Sequence, residues 1–397
     1  MAALAFADVA SDVIVVGGSG RVGASTLRWL DRLFRRIGEG APSPKLAVGG
    51  RNVERFHATK ARLGLPHLAF VPLDLDAGSQ ELIKAVNGAK LVVHTAGPFQ
   101  GRSAPDLLRA CISAGVPYCD VCDDYALSRN GKALAAEASA AGVPAVVSCG
   151  IWPGVSALMA ASAVEKLGGA EHCDRVELSF HTAGSGGAGP TIVSATFLLL
   201  ASKAFTVIDD ALVAMEPWTD RRCVDFGGGL GRRACFLLDN PDVPTIAEAL
   251  GIANCSSRFG TAPDLWNGLF GAIKVLPNSL LNSRPAMQKL ASISMPVIRL
   301  VDAMVGATNA MRVDAFKKEG TVAANPSVCL RCIHPQLDDC VGQATAAFAI
   351  ELLRGREPLA TSAGSIAPGV WYPVELHGAT RRQILSVVQE TAMLWEM

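Results

Sequence analysis

Charge of neither sign is in surplus in this chain. Its 397 residues carry 36 Lys and Arg against 36 Asp and Glu, for a formal net charge of zero. Proteins whose main partner is nucleic acid usually show a basic excess, so that class is set aside. Charged residues of any kind are scarce at 18%, while half the residues are hydrophobic, which excludes a disordered chain and guarantees material for a large core. No apolar run reaches the eighteen residues a membrane-crossing helix needs. Repeats and low-complexity segments do not stand out either. The stretch Met1 to Phe6 is apolar but lacks the basic flank and length of a signal peptide. Removal of a transit peptide ahead of this start stays compatible with the sequence.

Cysteine is plentiful rather than scarce. Eleven cysteines spread over a chain this long, odd in number and set within apolar segments, do not make a small disulfide framework. They read as buried thiols in a reducing compartment. Cys119-x-x-Cys122 and Cys329-x-x-Cys332, the latter near His334 and Cys340, have the local spacing of metal ligands. Zinc pairs usually sit on turns, whereas both pairs fall in expected strands, so no metal is expected. Thiol redox regulation is the remaining alternative.

The stretch from Asp12 to Gly23 carries the most information. An apolar run, Val13 to Val16, drops into Gly17, Gly18, Ser19, Gly20, Arg21, Val22 and Gly23, and then into a helix with Leu27, Leu30, Phe34 and Ile37 on one face. Strand, glycine loop and helix in that order predict a dinucleotide-binding unit, in which pyrophosphate rests on unpaired N–H groups at a helix start. A purely structural glycine turn is the alternative.

The second strand, Lys45 to Val48, ends in Gly49-Gly50-Arg51-Asn52. An NAD site usually offers a carboxylate at this strand end, and none occupies it here. Arg51 offers a fork of donors suited to a 2′-phosphate, so NADP(H) is expected, with Asn52 beside it. A solvated surface arginine is the competing reading. Leu68 to Pro72 reads as the third strand, with Asp74 placed either to touch the adenine or to cap its own turn. The fourth strand, Leu91 to Thr95, runs into Ala96-Gly97-Pro98-Phe99, expected along the nicotinamide half of the cofactor. Phe99 either shields the ring or fills the core. His94, Tyr118 and Asp120 sit at the carboxyl ends of strands four and five and are the candidates for a proton source. Against that stands the common fate of a histidine in an apolar strand, a satisfied core residue. Asp120 has a second reading as the residue holding the nicotinamide ribose.

Helices over Pro105–Ser113 and Asn130–Ala141 and strands over Tyr118–Val121 and Pro144–Ser148 complete a six-stranded parallel sheet by residue 150. Cys149 to Gly154 then punctuates the chain before a helix from Val155 to Leu167. Beyond it, Val176–His181, Cys223–Phe226, Ala234–Leu238 and Val328–Ile333 are strands without helices of crossover spacing, which predicts a mixed or partly antiparallel sheet. The loop Gly184 to Pro190 either folds over substrate or merely connects elements, with a helix from about Thr191. The Leu265–Met311 stretch, apolar and broken by Pro277, Pro285 and Pro296, reads as core or dimer helices, with an in-plane membrane contact as the alternative. Val341 to Leu353 is a helix expected to return to the first sheet. The fold class is therefore α/β: a Rossmann-type doubly wound parallel sheet and a second mixed α/β domain. The divisions fall at 1–150 for NADP binding, 151–338 for substrate and dimerisation, and 339–397 for C-terminal helices.

Taken together, these residues resemble the saccharopine dehydrogenase-like NADP-binding oxidoreductases, particularly those of plants, algae and cyanobacteria. The matching segments are Gly17 to Gly23, Gly49 to Asn52, Ala96 to Phe99, Tyr118 to Val121, Gly150 to Gly154, and the Ala344–Leu353 helix with Gly369 to Glu375. The resemblance implies NADPH as hydride carrier and a Rossmann domain interrupted by a substrate and dimer domain. It also implies a small imine, carbonyl or enoyl substrate, with a chloroplast location if a transit peptide was removed and a cytoplasmic one otherwise. Departing from the pattern, the expected substrate region has few cations, with Arg222, Arg232, Arg233 and Arg258 as the candidates, although a dicarboxylic amino acid needs several. A nucleotide-binding scaffold without turnover and a peripheral membrane reductase of a lipid-like substrate are the competing functions.

Overall fold

The structure is a computed structural model and describes residues 11–37, 44–102, 104–183, 190–318, 325–354 and 365–397. The glycine-rich loop over 184–189 and the apolar start at 1–6 lie outside the described residues.

The chain opens with β1 (Val13–Val16), α1 (Arg21–Ile37), β2 (Leu46–Gly50), α2 (Val53–Leu63), β3 (Ala69–Pro72), α3 (Ser79–Val86), β4 (Leu91–His94), α4 (Asp106–Ser113), β5 (Tyr118–Asp120), α5 (Tyr125–Lys132), α6 (Ala135–Ala140) and β6 (Pro144–Val146). The four residues of β1 are all buried, because β1 lies between β4 and β2 with helices on both faces. Of the apolar face read for α1, Leu27, Leu30 and Phe34 are buried, but Ile37 is about half exposed at the helix end. The single alanine-rich helix expected over Asn130–Ala141 is two, α5 beginning earlier at Tyr125, capped by Asp124, whose carboxylate accepts from the Leu127 N–H, and α6 restarting after Leu134.

The remainder runs α7 (Val155–Lys166), β7 (Cys173–Ala183), α8 (Pro190–Leu199), β8 (Ala204–Ile208), β9 (Ala211–Met215), β10 (Arg222–Asp225), β11 (Arg232–Leu237), α9 (Asp242–Leu250), β12 (Asn254–Ala262), α10 (Asp264–Ile273), α11 (Asn278–Leu281), α12 (Arg284–Val305), β13 (Thr308–Lys317), β14 (Val328–His334), α13 (Leu337–Arg354), β15 (Gly369–Trp371), α14 (Gly378–Gln389) and β16 (Leu394–Glu396). The first sheet has seven parallel strands, not six, in the order β15-β6-β5-β4-β1-β2-β3. Its extra edge strand comes from the far end of the chain. The second sheet runs β10-β11-β12-β7-β13-β14-β16, with β8 and β9 attached at β12, and is mixed: β7 is parallel to β12 and antiparallel to β13.

Five strands of the second sheet, β8, β9, β12, β13 and β16, carried no legible sequence signal. In β12 the reason is composition, since Asn254, Ser256, Ser257 and Arg258 mask the strand. Gly260 there is forced by packing: a Cβ would stand 1.9 Å from the Ala234 carbonyl oxygen of the neighbouring strand. The Leu265–Met311 stretch is three helices followed by the first residues of β13, so Met311 lies in a strand. Pro285 enters near the start of α12, where a missing N–H costs nothing.

One continuous core cluster joins both sheets through α1, α7 and α13. Helix α13 packs against α1 and against β4 and β5 of the first sheet. Asp339 on α13 accepts from the Trp29 indole at 2.9 Å and the Ser25 hydroxyl at 2.9 Å, and Gly342 meets Ser25 so closely that a Cβ would stand 2.5 Å from its oxygen.

Candidate cofactor and active site

The turn from β1 to α1 is tight enough that glycine is required at two places. Gly17 adopts φ +80° and lies against Ala96, to which a Cβ would come within 2.8 Å. A Cβ on Gly23 would stand 2.5 Å from the Gly17 carbonyl and 2.6 Å from the Thr95 hydroxyl. Gly18 N–H donates to the Val15 carbonyl and Gly20 N–H to the Gly17 carbonyl, which closes the loop on itself. At the start of α1, Arg21, Val22 and Gly23 have no helix carbonyl ahead of them, and no acidic side chain occupies the first turn. This is a cradle shaped for an anion. Ser19 and Gly20 form its rim, and the Arg21 guanidinium turns away to pair with Asp338 on α13 at 3.0 Å. The residues present fit a dinucleotide pyrophosphate.

At the carboxyl ends of β2 and β3 the structure brings Arg51 and Asp74 together, 3.7 Å apart and both well exposed. Asp74 also accepts from the Asp76 N–H at 3.1 Å, which is the turn-capping role. Asn52 caps α2, its side chain accepting from the Arg55 N–H at 2.8 Å. Asn52 therefore already holds a structural bond, whereas the exposed Arg51 fork has only the long contact to Asp74 to give up in turning toward a phosphate.

The loop after β4 runs between that cradle and α12. Thr95 donates to the Val16 carbonyl at 2.9 Å, Gly97–Pro98 is a cis peptide, and the Pro98 carbonyl accepts from Arg284 at 2.7 Å. Phe99 is buried, packed edge-on to the His94 ring at 5.0 Å and against Cys122 and Leu127, so its ring belongs to the core. Beneath it, His94, Tyr118 and Asp120 form one hydrogen-bonded chain. His94 Nδ1 lies 2.9 Å from the Tyr118 hydroxyl, which donates to Asp120 Oδ2 at 3.0 Å. Asp120 Oδ1 accepts from the Ser148 N–H at 2.7 Å and the Cys122 N–H at 3.0 Å. All three side chains are buried.

Burial, reinforced by Arg102, lowers the His94 pKa to about 3, with the Ala96 backbone opposing weakly. Burial raises Asp120 to about 6 against the pull of its three donors. At neutral pH, then, Asp120 is an acceptor and takes the only proton of Tyr118. His94 is neutral and donates its Nδ1 proton to the Tyr118 oxygen. An imidazolium acid at His94 is not what this environment favours. A cavity of about 30 Å³ beside the chain is lined by Arg102, Leu107 and Leu108.

Sequence reasoning missed four contributors here. Ser148 sits at φ +65° to aim its N–H at Asp120. Arg284 reaches Pro98 from 186 residues away. Arg102 faces the histidine. Gln100 is buried with both amide atoms lacking a hydrogen bond of ordinary geometry. Only the positive φ of Ser148 is a local property, and Ser-Cys-Gly carries no distinctive signal for it.

The candidate substrate cations do not converge on this site. Arg258 pairs with Asp220, and Arg222 pairs with Glu177 at 2.8 Å. Among the described residues no group of three or more metal-ligating side chains is assembled, and no helix is long and apolar enough to cross a membrane. The eleven thiols are unpaired, and all but Cys223 and Cys329 are buried.

Residues 13–146 match the protein family described as the saccharopine dehydrogenase NADP binding domain. No curated protein matches the chain. Among solved structures, apo histidine-tagged saccharopine dehydrogenase (L-Glu forming) from Saccharomyces cerevisiae aligns with a TM-score of 0.60 at 12% identity, over 98% of this chain and 99% of that one. That likeness establishes a shared fold. A probable dehydrogenase from Thermotoga maritima aligns over 96% of this chain and 98% of its own at 11% identity, with a TM-score of 0.40, too loosely to carry an argument. Residues 13–146 are thus a domain of the saccharopine dehydrogenase NADP-binding type, which binds a nicotinamide nucleotide, and the chain as a whole shares the fold of saccharopine dehydrogenase.

Proposed function

We propose that the chain is an NADP(H)-dependent oxidoreductase that delivers hydride to an imine, carbonyl or enoyl carbon. The observation that carries this reading is the glycine cradle built against the β4 loop, with Arg51 rather than a carboxylate at the end of β2. Bound NADPH would supply the hydride. The chain's own work is alignment: the first turn of α1 holds pyrophosphate, Arg51 grips the 2′-phosphate, and the backbone of Ala96 to Phe99 flanks the nicotinamide. His94, Tyr118 and Asp120 act as positioning residues, tying the ends of β4, β5 and β6 under that loop. The domain division at about residue 150 follows from the same reading, with the second sheet supplying the substrate side.

Titration of NADPH and NADH against wild type and Arg51→Ala, followed by nucleotide fluorescence, tests this. Loss of a charged hydrogen bond of about 1.5–3 kcal/mol predicts roughly ten- to hundredfold weaker NADPH binding in the variant, with NADH little changed. Equal weakening of both nucleotides, or binding of neither, overturns the assignment. The complete burial of His94, Tyr118 and Asp120 favours one second reading, a nucleotide-dependent scaffold. Failure of the bound NADPH to be oxidised by any imine, carbonyl or enoyl compound would select it.

A further inference from the structure

A second cavity, of about 120 Å³, opens between the end of the second sheet and helices α8, α10 and α12. Its walls include Trp152, Phe197, Phe259, Trp266, Phe270 and Ile298, and among the described residues no charged side chain lines it. The hydroxyls that reach it are committed within the protein: Thr261 donates to the Thr182 carbonyl at 3.0 Å, and Ser294 donates to the Leu290 carbonyl of its own helix at 2.8 Å. A carboxylate or ammonium placed there would be desolvated without a partner, which is strongly unfavourable. An apolar chamber of similar size, about 150 Å³, accommodates benzene, so the volume suits a hydrocarbon ring or chain segment.

The position of the chamber ties it to the cofactor loop. Trp152 lies four residues past Ser148, which holds Asp120. Helix α12 begins with Arg284 bonded to Pro98 and reaches the chamber at Ser294, about 15 Å along its axis at 1.5 Å per residue. An elongated molecule with its reacting end near Pro98 would therefore run its tail beside α12 into the chamber. The outer wall is apolar as well. Leu269 is a wall residue that is itself partly exposed, and Ile293, Val297, Leu300 and Met304 form an exposed stripe on α12 opposite the buried Met287, Ala291 and Met295. Four cations against two carboxylates over 264–306 give this locally apolar face a positive balance in a neutral chain.

We infer that this chamber binds the uncharged hydrocarbon tail of the substrate, a molecule of isoprenoid or fatty-acyl class, rather than a dicarboxylic amino acid. As a substrate assignment it rests on the oxidoreductase reading; as a binding site it stands without it. The test uses all-trans-retinol as probe on the full chain, read by quenching of Trp152 and Trp266 emission, with NADPH binding measured in parallel on the same samples. Saturable quenching is expected, weakened at least tenfold by Ser294→Phe, which fills the chamber, and by Leu269→Glu at its exposed wall. Ser292→Phe, exposed on the same helix, should leave it unchanged. Displacement by geraniol in preference to 1-decanol assigns an isoprenoid tail, and the reverse an acyl tail. Absence of saturable quenching, indifference to both Ser294→Phe and Leu269→Glu, or displacement by L-glutamate overturns the inference. Because NADPH binding is read separately, its loss would count against the oxidoreductase reading and not against the chamber.

Discussion

Tyr118 has one proton to donate, and Asp120 takes it. That single allocation makes His94 the donor to Tyr118 and binds the ends of three strands into a fixed platform under the β4 loop. It also sets a pH dependence. Asp120 titrates at about 6 in the fold against an ordinary 3.8, so its contribution to stability is full below 3.8 and is lost as pH rises through 6. Tyr118→Phe removes a donor that holds this pKa down. The variant should lose about 1–2 kcal/mol outright from the unsatisfied partners. Its melting temperature relative to wild type should fall further as pH rises past 6, where wild type has finished titrating this group. Thermal melts of both proteins from pH 5 to 8 decide it, and a pH-independent difference would refute the coupling. If the platform aligns the nicotinamide, kcat should drop in the same variant while the KM for NADPH holds.

At the scale of elements, the contact that joins the first and last parts of the chain is α1 against α13. Helix α13 is apolar around most of its circumference, as a helix wedged between layers must be. It approaches α1 at Gly342, where there is no room for a Cβ beside Ser25. Gly342→Val should therefore prise the helices apart, costing about 1–3 kcal/mol and several degrees of melting temperature. Because the N-terminal turn of α1 is the proposed phosphate cradle and Arg21 in it pairs with Asp338, nucleotide affinity should fall with stability. A variant of wild-type stability would show that the contact is looser than the geometry states.

Considered whole, each sheet is finished by the last stretch of chain. Strand β15 caps the first sheet at β6, and β16 caps the second at β14. Between them, Glu375 accepts from Lys132 and from the Tyr372 N–H, and Arg381 pairs with Glu165. A chain ending at Arg354 should thus expose two strand edges, lose its cooperative melt and aggregate, as size-exclusion chromatography and calorimetry will register. Retention of a monodisperse, cooperatively melting species would show that these strands are accessory.

The nucleotide-binding fold, and with it the proposed cofactor half of the site, was legible because its signals are local. Gly17 and Gly23 are required by atoms of the same turn and of the adjacent strand, β1 is a continuous run of β-branched residues, and Arg51 directly follows its strand. The inner strands β1, β4 and β6 were readable for the same reason, being buried and largely apolar, while β3 at the sheet edge is only partly buried. The seventh was not, since Gly369 to Trp371 is too short to carry a period. Nor was most of the second sheet, whose faces are half polar and whose central strand, β7, pairs with β12 and β13 from well separated parts of the chain.

What the sequence by itself determined is the nucleotide-binding unit and its cofactor class, because a phosphate loop is a property of a dozen consecutive residues. Only the tertiary structure decided that His94, Tyr118 and Asp120 share one buried chain, that Arg284 reaches Pro98, and that Trp152, Phe197, Trp266 and Ile298 enclose one apolar chamber. Those groups come from separate elements, and nothing short of packing the two sheets on a common core brings them within reach of one another.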